Sequence, residues 1–433
     1  MPYNNVGKRR IVKVVQMARN RRNKRRINSI RDLLNMRTFL TIVGILSVVI
    51  LICIGIQEYK GYADKQLLAK QKEELDKQTQ QVFAEIENSI SQTNQSISEK
   101  DTLIRMSAVG DILCGEAMLE DAHQADKTYD FSSMFTNISQ YITKADVVMG
   151  TMETNFASKK YNGENSPKEF AEAVKQSGIN LVTICHNHSL DYGITGLKKT
   201  KATLKELGYD TVGDKLDSDH AVLVKKVKDT KIAFLTYTYG VNNQNSKSKD
   251  ELKSINLYQE KQAKSDIDYA KKQGAEYICV MIHWGDAISE TVNKNQKEIA
   301  NFLVDNGVDM ILGAHPSVVQ PMEIRKNADG KNVFIAYSIG TYISTLSEDN
   351  AKVELVLNVE LRKSGKDGKV YLNKVDYTPI YVLDNGTEAE NRFELIDMKS
   401  VASNYTNGNA SGISRNIYDK LIIGLNRLDK ILK

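Results

Sequence analysis

Residues 277–286 read YICVMIHWGD: six apolar or aromatic residues in a row, then a histidine, the chain's single tryptophan, a glycine and an aspartate. A run this short and this uniformly apolar, closed by a turn signal, reads as a strand buried on both faces. The same pattern recurs along the chain. Apolar runs at 103–109, 147–150, 181–184 and 310–312 precede Gly110-Asp111, Glu153-Thr154-Asn155, His186-Asn187-His188 with Asp191, and Gly313-Ala314-His315. Further strands are predicted at 231–237 and 333–337. Helix-like stretches lie between them at 167–178, opened by Pro and closed by Gly, and at 197–208, 258–274 and 294–307. Strands alternating with helices imply an α/β domain with a mainly parallel sheet covered on both faces. Such sheets keep their sites at the carboxyl ends of the strands, so the five polar clusters are expected to meet at one rim. Four of the six histidines sit in these clusters; His123 and His220 lie outside and read as surface or core residues.

After residue 333 the alternation stops. Segments 352–361 and 369–382 read as strands joined by the turn Gly365-Lys366-Asp367-Gly368, an antiparallel hairpin. Residues 403–412, rich in Gly, Asn and Ser, read as a linker before a terminal helix at 413–432.

The net charge of +5 hides an asymmetry. Residues 1–37 hold twelve Lys or Arg and one acid, Asp32, so this tail carries +11 and the remainder 5 − 11 = −6. Residues 38–57, TFLTIVGILSVVILICIGIQ, are uncharged over twenty positions, the length needed for a helix to cross a bilayer. The apolar core is too long for a cleaved signal peptide, and no small-x-small site follows it. The basic flank places the N-terminus in the cytoplasm and the rest outside, in a single-pass cell-membrane topology. That topology explains the basic tail more simply than nucleic-acid binding, which is not expected. Residues 58–101 lack Pro and carry apolar residues near a seven-residue repeat, so they read as a helical stalk. A homodimeric coiled coil and a solitary helix both fit it. Outside the span the cysteines are Cys114, Cys185 and Cys279, an odd number without a CxxC pair, which argues for buried free thiols.

The clusters offer carboxylate oxygens (Asp111, Glu153), an amide oxygen (Asn187) and neutral nitrogens (His283, His315), a mixed set that suits Mn, Fe or Zn rather than Ca. Such a metal activates water or clamps a phosphate.

In order, VGDILCGEAM (109–118), GTMETNF (150–156), CHNHSLDYG (185–193), IHWGD (282–286), GAHPSVVQPMEI (313–324) and YSIGTYIS (337–344) resemble the poly-gamma-glutamate capsule biosynthesis proteins of the CapA/PgsA type. Those bacterial envelope proteins are similar in fold to the calcineurin-like metallophosphoesterases. The resemblance implies a four-layer α/β sandwich carried on the single transmembrane helix and stalk. It divides the chain into a basic cytoplasmic tail (1–37), a span (38–57), a stalk (58–101), the CapA-like domain (102–345), strands completing it (346–402), and a linker with a terminal helix (403–433).

Carried over one at a time, the resemblance implies Asp111 as the first-motif ligand, Glu153 in the bridging-ligand place, Asn187 as an amide ligand, and His283 and His315 as nitrogen ligands. His188 falls where those enzymes keep an acid that protonates the leaving oxygen, and Asp191 is placed to orient it. The first motif lacks the Asp-x-His histidine, having Ile112 and Leu113 instead, and His315-Pro316-Ser317 replaces His-Pro-His. Two imidazoles fewer imply at most one metal. Whether His186, where the family has Asn, replaces one of them stays open. Two function classes fit. One is an extracytoplasmic assembly factor that binds an anionic polymer such as poly-gamma-glutamate, or an envelope synthesis complex. The other is a metal-dependent phosphoesterase or other hydrolase of an envelope substrate.

Overall fold

The computed structural model describes residues 100–409 and 412–432. The tail, span and nearly all of the stalk lie outside them. Among the described residues no helix is long and apolar enough to cross a membrane.

The chain opens with four parallel strands, β1 (Thr102–Ile112), β2 (Val147–Met152), β3 (Leu181–Thr183) and β4 (Asp210–Val212). It then crosses to a second sheet made by β5 (Val222–Val227), β6 (Thr230–Thr238), β7 (Tyr277–His283), β8 (Met310–Ala314), β9 (Met322–Lys326) and β10 (Asn332–Ala336). It returns with β11 (Thr341–Ile343), β12 (Val353–Lys363), β13 (Val370–Asp384) and β14 (Phe393–Asp397). The first sheet runs β14-β13-β12-β1-β2-β3-β4, with β11 paired to the end of β1; the second runs β5-β6-β7-β8-β10-β9. The helices are α1 (Glu116–Ala122), α2 (Ser139–Ile142), α3 (Lys168–Gln176), α4 (Gly193–Glu206), α5 (Lys249–Lys253), α6 (Glu260–Lys272), α7 (Lys294–Asp305), α8 (Met398–Thr406) and α9 (Arg415–Ile431).

The expected single parallel sheet is therefore two sheets. β7 shows how they pack. Tyr277, Cys279 and Met281 point into the core between the sheets, whereas Ile278, Val280 and Ile282 join the outer core with Ile267 of α6 and Leu303 of α7. On the far side, Val148 and Val182 pack against Phe170 and Val174 of α3 and Leu204 of α4. The layers are helix, sheet, sheet, helix, the four-layer α/β sandwich that the resemblance implied. Full burial of each such aliphatic or aromatic side chain contributes about 1.5–3 kcal/mol.

The linker expected at 403–412 is also corrected. Its first part, 403–406, is the end of α8, which Asp397 caps by accepting from the Lys399 and Ser400 N–H groups and which Met398 and Ala402 hold against the core. Hydrophobic anchoring overrides the local turn preference of Ser and Asn.

β1 continues through Gly110 and Asp111 rather than ending before them. The 340–341 segment crosses it closely: a Cβ on Gly110 would lie 1.8 Å from the Gly340 carbonyl oxygen. The Asp111 N–H donates to that same oxygen at 3.2 Å. Gly340 has a φ of +91°, and a Cβ there would meet Glu354 Oε2. Only glycine fits at this crossing.

Candidate metal centre

The site residues share one local logic: an apolar strand is buried by the layers, and polar residues at or just past its carboxyl end are left at the rim. Asp111 is the penultimate residue of β1, Glu153 follows β2, His186 to Asp191 follow β3, His283 ends β7 and His315 follows β8. The carboxyl ends of both sheets open on one side, and side chains from the two sheets interlock there.

His283 is the centre of the arrangement. Its Nε2 lies 2.8 Å from Asn187 Oδ1, 3.1 Å from His315 Nδ1 and 3.6 Å from Glu153 Oε1. The Asn187 amide is turned by its NH2, which donates to Asn242 Oδ1 at 3.2 Å, so its oxygen faces the imidazole. A neutral ring nitrogen donates at most one proton, yet three atoms with free lone pairs crowd this one. Four such atoms, two oxygens and two nitrogens, converging on one point are the donor set of a divalent cation. The ligand atoms of Glu153, His283 and His315 all lie within 4.8 Å of one another. The residues fit a metal.

Asp111 stands behind this group. It is fully buried, its Oδ2 accepts from the His315 N–H at 2.8 Å, and its Oδ1 has no hydrogen-bond partner and faces His283 Nδ1 at 3.5 Å. In this geometry Asp111 holds the His315 backbone, which has a φ of +90°, and faces His283 without a hydrogen bond. It is not one of the converging donors, where the resemblance had implied a ligand.

Burial and neighbouring charges set the protonation of this group. Burial first, then the charges of Asp111 and Asp191, hold the Glu153 carboxyl well above its ordinary pKa. Burial, with the facing His283, pushes His315 down to about 4. Its lone pairs are therefore free at neutral pH.

His188 and Asp191 form a separate pair, with Nδ1 and Oδ2 2.6 Å apart. Burial opposes charge on His188, but the hydrogen bond and charge of Asp191, with Glu164 beyond, raise its pKa above the ordinary value. Asn242 joins the two halves, donating to Asp191 Oδ1 at 3.3 Å while accepting from Asn187. His186 is buried, with Nδ1 unpartnered and its ring 6.2 Å from that of His283, and it stays outside the converging group. The thiols of Cys114 and Cys185 are buried and pushed up to about 12, which removes them as nucleophiles.

Sequence reading missed three residues here. Tyr239 lies with its ring 4.7 Å from that of His315 and donates its N–H to the His283 carbonyl at 2.9 Å. It follows the apolar run of β6, the same signal that located the other clusters. Asn242 and Glu164 lie in loops with no such signal.

The family model described as bacterial capsule synthesis protein PGA_cap matches residues 105–346. The capsule biosynthesis protein CapA of Bacillus anthracis is 26% identical over 275 residues, covering 60% of this chain and 65% of that protein. The PGA biosynthesis protein CapA of Bacillus subtilis is 24% identical over 339 residues, covering 76% and 85%. Among solved structures, a phosphatase from Mycoplasma pneumoniae aligns with a TM-score of 0.41 at 16% identity, over 65% of this chain and 94% of that one. The calcineurin-like phosphoesterase YfkN from Bacillus subtilis aligns with a TM-score of 0.38 at 13% identity, over 76% and 98%. With more than half its length matched by the family model, this chain belongs to the bacterial capsule synthesis protein PGA_cap family.

Proposed function

We propose that this protein is anchored in the cell membrane by residues 38–57, with its N-terminus in the cytoplasm, and presents the described domain outside the cell. There it takes part in synthesis or export of an anionic capsule polymer such as poly-gamma-glutamate. Its working centre is a single divalent cation, Mn, Fe or Zn, held by Glu153, Asn187, His283 and His315. The observation that carries this reading is the convergence of Glu153 Oε1, Asn187 Oδ1 and His315 Nδ1 on His283 Nε2, among buried carboxyl groups.

Bound there, the cation supplies Lewis-acid activation of a ligand oxygen. Asp111 holds the His315 backbone in register and faces His283, and the four donors fix the centre. The His188–Asp191 pair favours a second reading, a hydrolase acting on an envelope substrate. A histidine steadied by a carboxylate at 2.6 Å can hold a proton for a leaving group.

Metal analysis of the full chain, purified from membranes without chelator, tests the first reading. One metal per chain is expected, lost in His283→Ala. Asp111→Asn, which keeps an oxygen for the His315 N–H, is expected to weaken metal binding about 10–100-fold, the usual effect of removing a partner behind a ligand. Two metals per chain with rapid phosphodiester turnover would overturn the single-cation reading in favour of a phosphoesterase. Loss in Asp111→Asn as complete as in His283→Ala would make Asp111 a ligand.

A further inference from the structure

Asn187 offers oxygen to a cation only when its amide is turned the right way. An asparagine amide rotated by half a turn exchanges its oxygen for NH2 with almost no change of shape, so the partners of its two ends decide which faces where. Toward the metal group the choice is weakly made. Asn187 Oδ1 lies 2.8 Å from His283 Nε2, and a ring nitrogen donates or accepts according to its tautomer.

The other end decides. The Asn187 NH2 donates to Asn242 Oδ1 at 3.2 Å, and the Asn242 N–H donates to the Asn187 carbonyl at 2.8 Å, so the two residues are joined through side chain and backbone. Turning the Asn242 amide alone would set NH2 against NH2, two donors with no acceptor between them. The two amides therefore turn together or not at all.

Asp191 holds Asn242. The Asn242 NH2 donates to Asp191 Oδ1 at 3.3 Å and lies 3.5 Å from Oδ2. It also lies 3.0 Å from His188 Nδ1, but that nitrogen is 2.6 Å from Asp191 Oδ2. A ring nitrogen that gives its proton to a carboxylate has no lone pair left for an amide, so Asp191 is the acceptor for both neighbours. An Asn242 turned the other way would hold its oxygen against the carboxylate oxygens. Asp191 thus admits one orientation of Asn242, and Asn242 admits one orientation of Asn187, the one with Oδ1 toward His283. The loop that carries Asn242 is tied down on both sides: Lys247 Nζ donates to the Leu190 carbonyl, and the Val241 N–H to Gln244 Oε1 at 3.2 Å.

We propose that Asp191 is a positioning residue for the metal centre: acting through Asn242, it fixes the Asn187 amide with its oxygen toward the cation, in addition to its contact with His188. This rests on the reading of Glu153, Asn187, His283 and His315 as the metal-binding group. The carboxylate that steadies the histidine also selects the ligand atom, so the His188–Asp191 pair and the ligand set are one unit.

The test measures Mn(II) affinity of the full chain in detergent, by electron paramagnetic resonance of the free ion, for the wild type, Asp191→Asn, Asn242→Ala and the double variant. An amide in place of the carboxylate accepts either orientation of Asn242. Asp191→Asn and Asn242→Ala are each expected to weaken Mn(II) binding about tenfold, the low end of what losing a partner behind a ligand costs. Removing the Asp191 charge also acts on the cation through space, whatever stands at position 242, and the double variant separates the two effects. It is expected to bind within about twofold of Asn242→Ala, because the relay is already cut. Asn242→Leu, of similar shape, gives the same comparison if the alanine variant fails to fold. Wild-type protein that binds no Mn(II) refutes the centre. Wild-type binding with unchanged affinity in Asp191→Asn overturns the relay, and so does a loss from Asp191→Asn that is as large in the Asn242→Ala background as in the wild type.

Discussion

Glu354 is fully buried on β12, accepts the Thr341 N–H with one oxygen, and has no hydrogen-bond partner for the other. Burial raises its pKa well above the ordinary value against the Thr341 hydrogen bond, and Asp111 adds to the rise. A carboxyl that binds its proton more tightly folded than unfolded lends full stability below the unfolded pKa of about 4.3 and loses it as pH climbs toward the raised value. Glu354→Gln is therefore expected to match the wild type near pH 4 and to exceed it increasingly toward pH 8, as read from urea midpoints. A gap that shrinks as pH rises would contradict the assignment. At this scale much of the site was legible: His283, His315 and Glu153 each stand one step beyond an apolar run, and Asn187 two. The position of Asp111 behind His283 was not, because one residue's place in the strand decides whether its carboxylate faces the ligand group or the ring's far side.

Among elements, the joint between β3 and β6 carries the site's precision. Asn256 donates its backbone N–H to Gly213 O, accepts from the Thr238 N–H and the Cys185 thiol, and donates its amide to Thr236 O and Asp266 Oδ2. Asp266, fully buried, also accepts from Tyr237, Gln262 and His220. Thus His220, read from sequence as surface or core, ties the crossover between the sheets to α6. Asp266→Ala would strand these donors and is expected to cost about 3 kcal/mol, measured as a lowered urea midpoint. A loss below about 1 kcal/mol would show that water replaces the carboxylate. Nine of the fourteen strands among the described residues were readable from apolar runs, whereas the edge strands β4, β5, β9 and β14 and the division into two sheets were not. Every strand buried on both faces looks alike in sequence, and membership of a sheet is fixed by partners a hundred or more residues away. Short β11, and α8 with its Asn and Ser, were missed because packing rather than local preference holds them.

At the scale of the molecule, the family match ends at residue 346, but the structure does not. β1 lies between β2 and β12, pairing Thr102 with Lys363 and Ala108 with Leu357, and β13 covers β12 in turn. A fragment ending at 346 leaves one edge of β1 open and removes the Glu354 acceptor from the Thr341 turn. Such a fragment is expected to be digested rapidly under limited proteolysis, whereas one ending at 432 resists; equal resistance would show that β12 and β13 are ornaments. The antiparallel partner of the first strand is thus supplied some two hundred and fifty residues later. A ribosome making this chain releases Asp111 long before β12 and Glu354 can close the sheet around it, so the rim that gathers Glu153, His283 and His315 is completed only when the last strands have emerged.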